Sequence, residues 1–213
     1  MSKGRILPPV DVEEELWACG HVVAGVDEAG RGPLYGPVVV GAVVLDAQDL
    51  PEAYDSKTLS AERRRELAGR VREKAIAWAV GEASAQEIDE LGMTEALRLA
   101  SQRALEGLNV HPSALIVDGP RDITQSALEV RCVVKGDSKS RSVAAASLLA
   151  KTHHDEVVLS LCVDHPGYGI EQNMGYGTPQ HLSALTLLGP SDGHRRTFKP
   201  VRAAEISVVQ LPH

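Results

Sequence analysis

Apolar positions along the chain follow two rhythms. His21 to Glu28 and Pro37 to Asp46 are short stretches rich in Val and Ala and broken by Gly and Pro, the pattern of buried or half-buried strands. Between them runs Ala29-Gly-Arg-Gly-Pro-Leu-Tyr-Gly36, a tight loop rich in exposed main chain. In the charged segment that follows, Leu67 and Val71 recur four apart, which predicts a surface helix over 61–74 with Ser60 as its N-cap. Ala75 to Glu82 reads as a strand. Ser84-Ala-Gln-Glu87 has capping-box spacing for a short helix, and residues 94–108 predict a longer amphipathic one. Ser113 to Asp118 and Glu129 to Lys135 are further strands, and Val143 to Val163 predicts a long helix, very apolar at its start. Thr178-Pro179 places a capping residue before a proline, so 181–188 is a helix that Gly189-Pro190 stops.

Strands come first and then alternate with helices. That order predicts an α/β fold, a mixed β-sheet flanked by helices, with a small helical C-terminal lobe. The expected division is an N-terminal extension over 1–20, one catalytic domain over 21–200 whose lobe occupies about 165–200, and a tail over 201–213. With 213 residues, 43% of them hydrophobic, the chain can bury one substantial core, and its composition excludes disorder, collagen and coiled coil. The N-terminus has charge but no apolar core, so no signal peptide is expected. The longest nearly apolar run, Pro37 to Leu45, is far short of a membrane span, so no membrane partner is expected either. Cys19, Cys132 and Cys162 are widely spaced and form no CxxC pair; they read as reduced thiols in a cytoplasmic protein.

The net charge of −7 weighs against a nucleic-acid partner, but its distribution does not. Residues 1–130 carry 13 basic and 22 acidic side chains, whereas 131–202 carry 9 and 6. Local fields, not totals, decide where phosphates dock.

Three acidic positions follow or end apolar segments: Asp27-Glu28, Asp118 and Asp137. Carboxylates gathered at strand ends repel one another unless cations sit between them, and hard divalent ions such as Mg²⁺ take oxygen ligands. Two such ions can stabilise the attacking and leaving oxygens of phosphoryl transfer. Taken singly, Asp118 before Gly-Pro is an ordinary turn acid and Asp137 an ordinary turn or cap acid. Asp27 and Glu28 are neighbours and share one site only if their strand ends or bends there. The Gly30-Arg31-Gly32 loop fits a plain hairpin, or a backbone able to approach a ribose 2′-OH.

Gly25-Val-Asp-Glu-Ala-Gly-Arg-Gly-Pro-Leu-Tyr-Gly-Pro-Val38 resembles the opening signature of the ribonuclease HII family. The resemblance continues in order through Asp55-Ser-Lys-Thr-Leu-Ser60, Ile116-Val-Asp-Gly119, Lys135-Gly-Asp-Ser-Lys-Ser140, Ser142 to Ser147, Ala150-Lys151, Gly175-Tyr-Gly-Thr178 and His194-Arg-Arg-Thr-Phe198. It implies a ribonuclease H-like fold and an endonuclease that hydrolyses the RNA strand of RNA–DNA hybrids. It also implies cleavage of duplex DNA 5′ of an embedded ribonucleotide, leaving 3′-hydroxyl and 5′-phosphate ends. The implied cofactor is Mg²⁺ or Mn²⁺, as two ions with substrate bound. By position, Asp27, Glu28, Asp118 and Asp137 become the catalytic and metal-binding carboxylates, and Gly30, Arg31 and Gly32 the loop that senses the 2′-OH. Tyr176 becomes the aromatic that packs on the sugar of the following deoxynucleotide, while Lys57, Lys139, Ser140 and Lys151 become candidate phosphate contacts. The sequence departs from the family pattern at Asn173-Met174 and at His154, where basic residues are common. The related ribonuclease HIII carries an added N-terminal domain; with 20 residues before His21, the ribonuclease HII pattern is the one expected. Ile206 to His213 lacks the paired aromatics of a sliding-clamp peptide, so no clamp partner is expected. The same features fit two other classes, a resolvase-like nuclease of the same broad fold and a non-catalytic hybrid-binding module.

Overall fold

A computed structural model describes residues 7–209, with side chains described through Ile206. Five strands form one mixed sheet: β1 (Val23–Ala29), β2 (Val38–Val44), β3 (Ala77–Ala83), β4 (Ala114–Asp118) and β5 (Glu129–Val133), in the order β3-β2-β1-β4-β5. β1 pairs antiparallel with β2, and β2 with β3; β4 lies parallel to both β1 and β5. The helices are α1 (Asp11–Ala18), α2 (Ala61–Lys74), α3 (Ala85–Leu91), α4 (Met93–Glu106), α5 (Arg141–Leu161), α6 (Ile170–Asn173), α7 (Pro179–Leu188) and α8 (Lys199–Val209).

The caps expected from sequence are made. Ser60 accepts from the Arg63 N–H, Thr178 from the His181 N–H, and Ser84 with Glu87 completes a reciprocal capping box. Each satisfies backbone donors that a helix start leaves unpaired. On one sheet face, Val26, Val38, Val40, Leu115 and Val117 share a core with Leu97 and Ala100 of α4. On the other face, Val43 packs with Leu67 and Val71 of α2 and with Ala145 and Leu149 of α5.

Helix α5 sits unusually low on the sheet, because the strands beneath it carry glycine where it crosses. A Cβ on Gly25 would run into the Ser142 backbone, and one on Gly41 into the carbonyl of Ala146. Small residues on the helix, Ala144 to Ser147, complete the close approach. This contact lays α5 along β1, with Ser142 over Gly25 and Ser147 against Asp27.

Packing runs across both outer boundaries expected from sequence. Residues 11–18 form α1, whose Leu16 is buried with Val23, Ala114 and Ile116. Its Glu13 is also fully buried and accepts bonds from Ser140 Oγ (2.6 Å), Ser142 N (2.8 Å) and Ser142 Oγ (2.7 Å). A carboxylate there satisfies donors at the N-terminus of α5 and complements the helix dipole. At the other end, α8 runs across residue 200, and Val201 is buried with Tyr168 and Leu185. Residues 210–213 of the expected tail lie outside the described residues.

Candidate active site

Strand pairing explains how adjacent acids reach one place. β1 pairs with β2 as far as Ala29, but with β4 only as far as Val26, opposite Val117. Past Val26 the β4 side of β1 is open, and Asp118 closes the end of β4. Asp27 and Glu28 point to opposite faces of β1, and with its β4 side open and the strand ending at Ala29 both line one cleft. Asp27 is buried under Ser147 of α5, and its Oδ1 accepts the Glu28 N–H at 2.7 Å. Burial first, then the charges of Glu28 and Asp118, hold the Asp27 carboxyl well above the usual carboxylate range.

Asp118 Oδ1 accepts the Gly136 N–H at 2.6 Å and so ties β4 to the turn Gly136–Ser138 that carries Asp137. Asp137 is buried, which raises its carboxyl, while Lys57 opposes that rise. The Lys57 ammonium stands 3.4 Å from Asp137 Oδ2, on a turn capped by Asp55.

A cleft of about 230 Å³ joins Asp27, Glu28 and Asp118 to Gly30, Arg31, Gly32, Lys57, Lys151 and Tyr176. Gly30 has φ +87°, and a Cβ there would run into the ring of buried His154. Gly32 lies under Tyr176, with 3.3 Å between a Cβ on it and Tyr176 Cε1. Arg31 pairs with Glu28 at 3.1 Å, and Lys151 pairs with Asp155 at 2.7 Å while standing 5.9 Å from the Tyr176 ring centre. Asn173, where a basic residue was the family expectation, holds the turn before Tyr176: its Oδ1 accepts the Gly175 N–H and its Nδ2 donates to Tyr168 O.

Of the expected phosphate contacts, one is buried and one lies outside this cleft. Ser140 is fully buried; its hydroxyl caps α5 and donates to Glu13, so its side chain is not open to substrate. Lys139 is exposed on the turn after Asp137 and does not line the cleft. The burial of Ser140 was not legible because it depends on Glu13, 127 residues away.

The chain also contributes residues that sequence reasoning did not single out. Glu28, Arg31 and Asp118 line a second cleft of about 540 Å³, whose wall includes Arg98 and Arg121. Arg195 is fully buried behind the glycine loop and donates to four of its backbone carbonyls and to that of Pro37 just after it. Its only signal in the sequence was its place within His194 to Phe198.

Among the described residues, no three His, Cys, Asp or Glu stand close enough to close a metal site by themselves. The donor set nevertheless suits hard cations that complete their shell with water and substrate oxygens. The charges of Glu28 and Asp118 disfavour charge on Asp27, and the Lys57 ammonium already serves as a cation at Asp137.

Residues 24–201 match the family model described as Ribonuclease HII. The chain belongs to the ribonuclease HII family. It is 44% identical over 206 residues to the Ribonuclease HII of Albidiferax ferrireducens, covering 96% of this chain and 98% of that one. The crystal structure of ribonuclease H2 from Pyrococcus horikoshii OT3 aligns with a TM-score of 0.75 at 28% identity, covering 89% of this chain and 99% of that one. The PCNA:RNase HII complex from Archaeoglobus fulgidus gives 0.66 at 26%, covering 84% and 95%. As a ribonuclease HII, the protein is a metal-dependent endoribonuclease with ribonuclease H activity on RNA–DNA hybrids. A resolvase-like assignment and a non-catalytic binding module are thereby set aside.

Proposed function

We propose that the enzyme cuts the phosphodiester 5′ of a ribonucleotide, in hybrids and in duplex DNA carrying a single embedded ribonucleotide, and that Asp27, Glu28, Asp118 and Asp137 carry the chemistry. The observation that supports this reading best is the single cleft in which the first three acids meet the Gly30–Gly32 loop and Tyr176. Asp27 and Asp118 are the principal metal-binding groups, with Glu28 and Asp137 completing the sites or positioning water. When bound with substrate, two Mg²⁺ or Mn²⁺ ions supply Lewis-acid stabilisation of the attacking and leaving oxygens.

The remaining work falls to the chain's own residues. Backbone groups of Gly30, Arg31 and Gly32 bind the 2′-OH, which is both donor and acceptor and distinguishes RNA from DNA. Tyr176 packs its half-exposed ring on the sugar of the next nucleotide, a deoxyribose. Lys57 and Lys151 meet backbone phosphates, and Lys57 leaves Asp137 to do so. Arg98 and Arg121 line the continuation of the strand's path.

Asp27→Asn tests the assignment. It removes a charged ligand while keeping the side chain's shape, so cleavage of a duplex with one ribonucleotide should fall by at least about 10³-fold in Mg²⁺, a loss comparable to removal of a major electrostatic contributor. Binding of the uncut duplex should persist. Gel mapping of the cut site and its end groups checks the rest, and a fully active Asp27→Asn enzyme would refute the role given to Asp27.

A further inference from the structure

We propose that His194 and Arg195 are positioning residues that set the Gly30–Gly36 loop against Tyr176, and thereby fix how strictly the enzyme selects a ribonucleotide followed by a deoxynucleotide. The inference rests on the roles proposed above for that loop and for Tyr176. Neither residue lines the catalytic cleft.

Arg195 has no solvent exposure, and its guanidinium faces carbonyls. Nε donates to Gly36 O (2.9 Å), Nη1 to Arg31 O (3.2 Å) and Pro33 O (2.7 Å), and Nη2 to Gly30 O (2.6 Å) and Pro37 O (2.7 Å). A guanidinium has five N–H donors in a fixed planar fork, and five carbonyls use all of them. The loop is thus wrapped around one rigid cation. That contact also sets the loop's polarity. In a trans peptide the C=O and the following N–H point in opposite directions, and the described chain has no cis peptide. With the carbonyls of Gly30 and Arg31 turned toward Arg195, the N–H groups of Arg31 and Gly32 turn away from it. They are left as donors for a substrate oxygen on the side that Tyr176 overhangs.

His194 reaches Tyr176 by a second path. Its Nδ1 accepts the Ser191 N–H at 3.0 Å, so its proton lies on Nε2. That proton is donated to His181 Nε2 at 3.0 Å, which leaves the His181 proton on Nδ1 to be donated to the carbonyl of Tyr176 at 2.9 Å. One arrangement of protons satisfies the whole relay, with both rings neutral. Main-chain bonds close the unit: Arg195 N–H donates to Leu34 O, Gly36 N–H to Gly193 O, and Leu34 N–H to Gly175 O. Adjacent residues in the sequence therefore hold the sugar-reading loop and the sugar-packing ring in one register.

The test compares two substrates, a DNA duplex with one embedded ribonucleotide and the same duplex with one strand entirely RNA. Arg195→Lys offers three donors on a point charge in place of a planar five-donor fork. Folded Arg195→Lys enzyme, verified by circular dichroism, should lose about tenfold or more in kcat on the single ribonucleotide, since small misplacements of a bound substrate are costly. Its Mg²⁺ concentration for half-maximal activity should stay at the wild-type value. His194→Leu breaks the relay, whereas His194→Gln can both accept from Ser191 and donate to His181. The ratio of rates, single ribonucleotide over uniform RNA, should fall about tenfold in His194→Leu and recover in His194→Gln. If Arg195→Lys does not fold, the two His194 variants carry the test alone. Equal losses on both substrates in folded variants, or none, would overturn the inference while leaving the proposed function standing. A wild-type enzyme that cuts neither substrate would overturn both.

Discussion

Individual residues in this protein are constrained by what stands behind them as much as by what they face. Gly30 is the sharpest case. It faces the catalytic cleft, but its φ of +87° and the His154 ring on its other side leave no room for a Cβ. Gly30→Ala should cost about 1–3 kcal/mol, the usual penalty for forcing a side chain into a sparsely populated backbone region. Urea denaturation should show that loss together with reduced cleavage. An alanine enzyme with wild-type stability would mean that the loop relaxes freely, contrary to its anchorage on Arg195. Ser140 is the reverse case, a hydroxyl three residues after Asp137 that is spent on a helix cap and a buried carboxylate.

Helix α3 shows how much an element depends on its first turn. Glu87 accepts the Ser84 N–H at 2.8 Å and pairs with Arg103 of α4 at 2.7 Å. The Arg103 hydrogen bond, with the Ser84 backbone bond after it, lowers the Glu87 carboxyl to about 2. A carboxyl depressed on folding contributes stability that is fully present above its unfolded value of about 4.5, and that is lost as pH falls through the folded value. Glu87→Gln should therefore cost about 1 kcal/mol at pH 7, the scale of a lost cap, and progressively less as pH falls from about 4.5 toward 2. Thermal melting of both proteins across that range provides the check; a pH-independent difference would contradict it. The cap itself was legible from Ser84-Ala-Gln-Glu87, because capping is local. The Arg103 partner was not, since it requires α4 to fold back beside α3.

For the whole molecule, the net charge of −7 coexists with basic groups gathered around the acidic cleft and the one beside it. Lys57 and Lys151 flank the acids, and Arg98 and Arg121 line the adjoining cleft. Four phosphate contacts would give a log–log salt slope of about −3.6, so raising salt from about 50 to 200 mM should weaken duplex binding roughly 150-fold. Fluorescence anisotropy with the inactive Asp27→Asn protein measures this directly. Affinity insensitive to salt would show that these side chains do not meet the backbone. Among the described residues no helix is long and apolar enough to cross a membrane, and Cys19, Cys132 and Cys162 are unbridged.

What the sequence determined by itself was whatever depends on near neighbours: the five strands, the caps at Ser60, Ser84 and Thr178, and the chain order of the acids and glycines that marks the family. Helix α1 escaped because Asp-Val-Glu-Glu-Glu reads as a solvated surface, and only the N-terminus of α5 gives Glu13 a reason to be buried. Tertiary structure decided which of the expected contacts could meet. It ended the β1–β4 ladder at Val26 so that Asp27 and Glu28 could share a site, and it turned Ser140 inward. It also placed Arg195 against carbonyls more than 150 residues away in the chain. Local patterns follow from backbone geometry and hydrophobic period, which any window of sequence contains. Ladder ends, buried cations and cleft walls follow from pairings between distant segments, which exist only once the sheet and α5 have closed on each other.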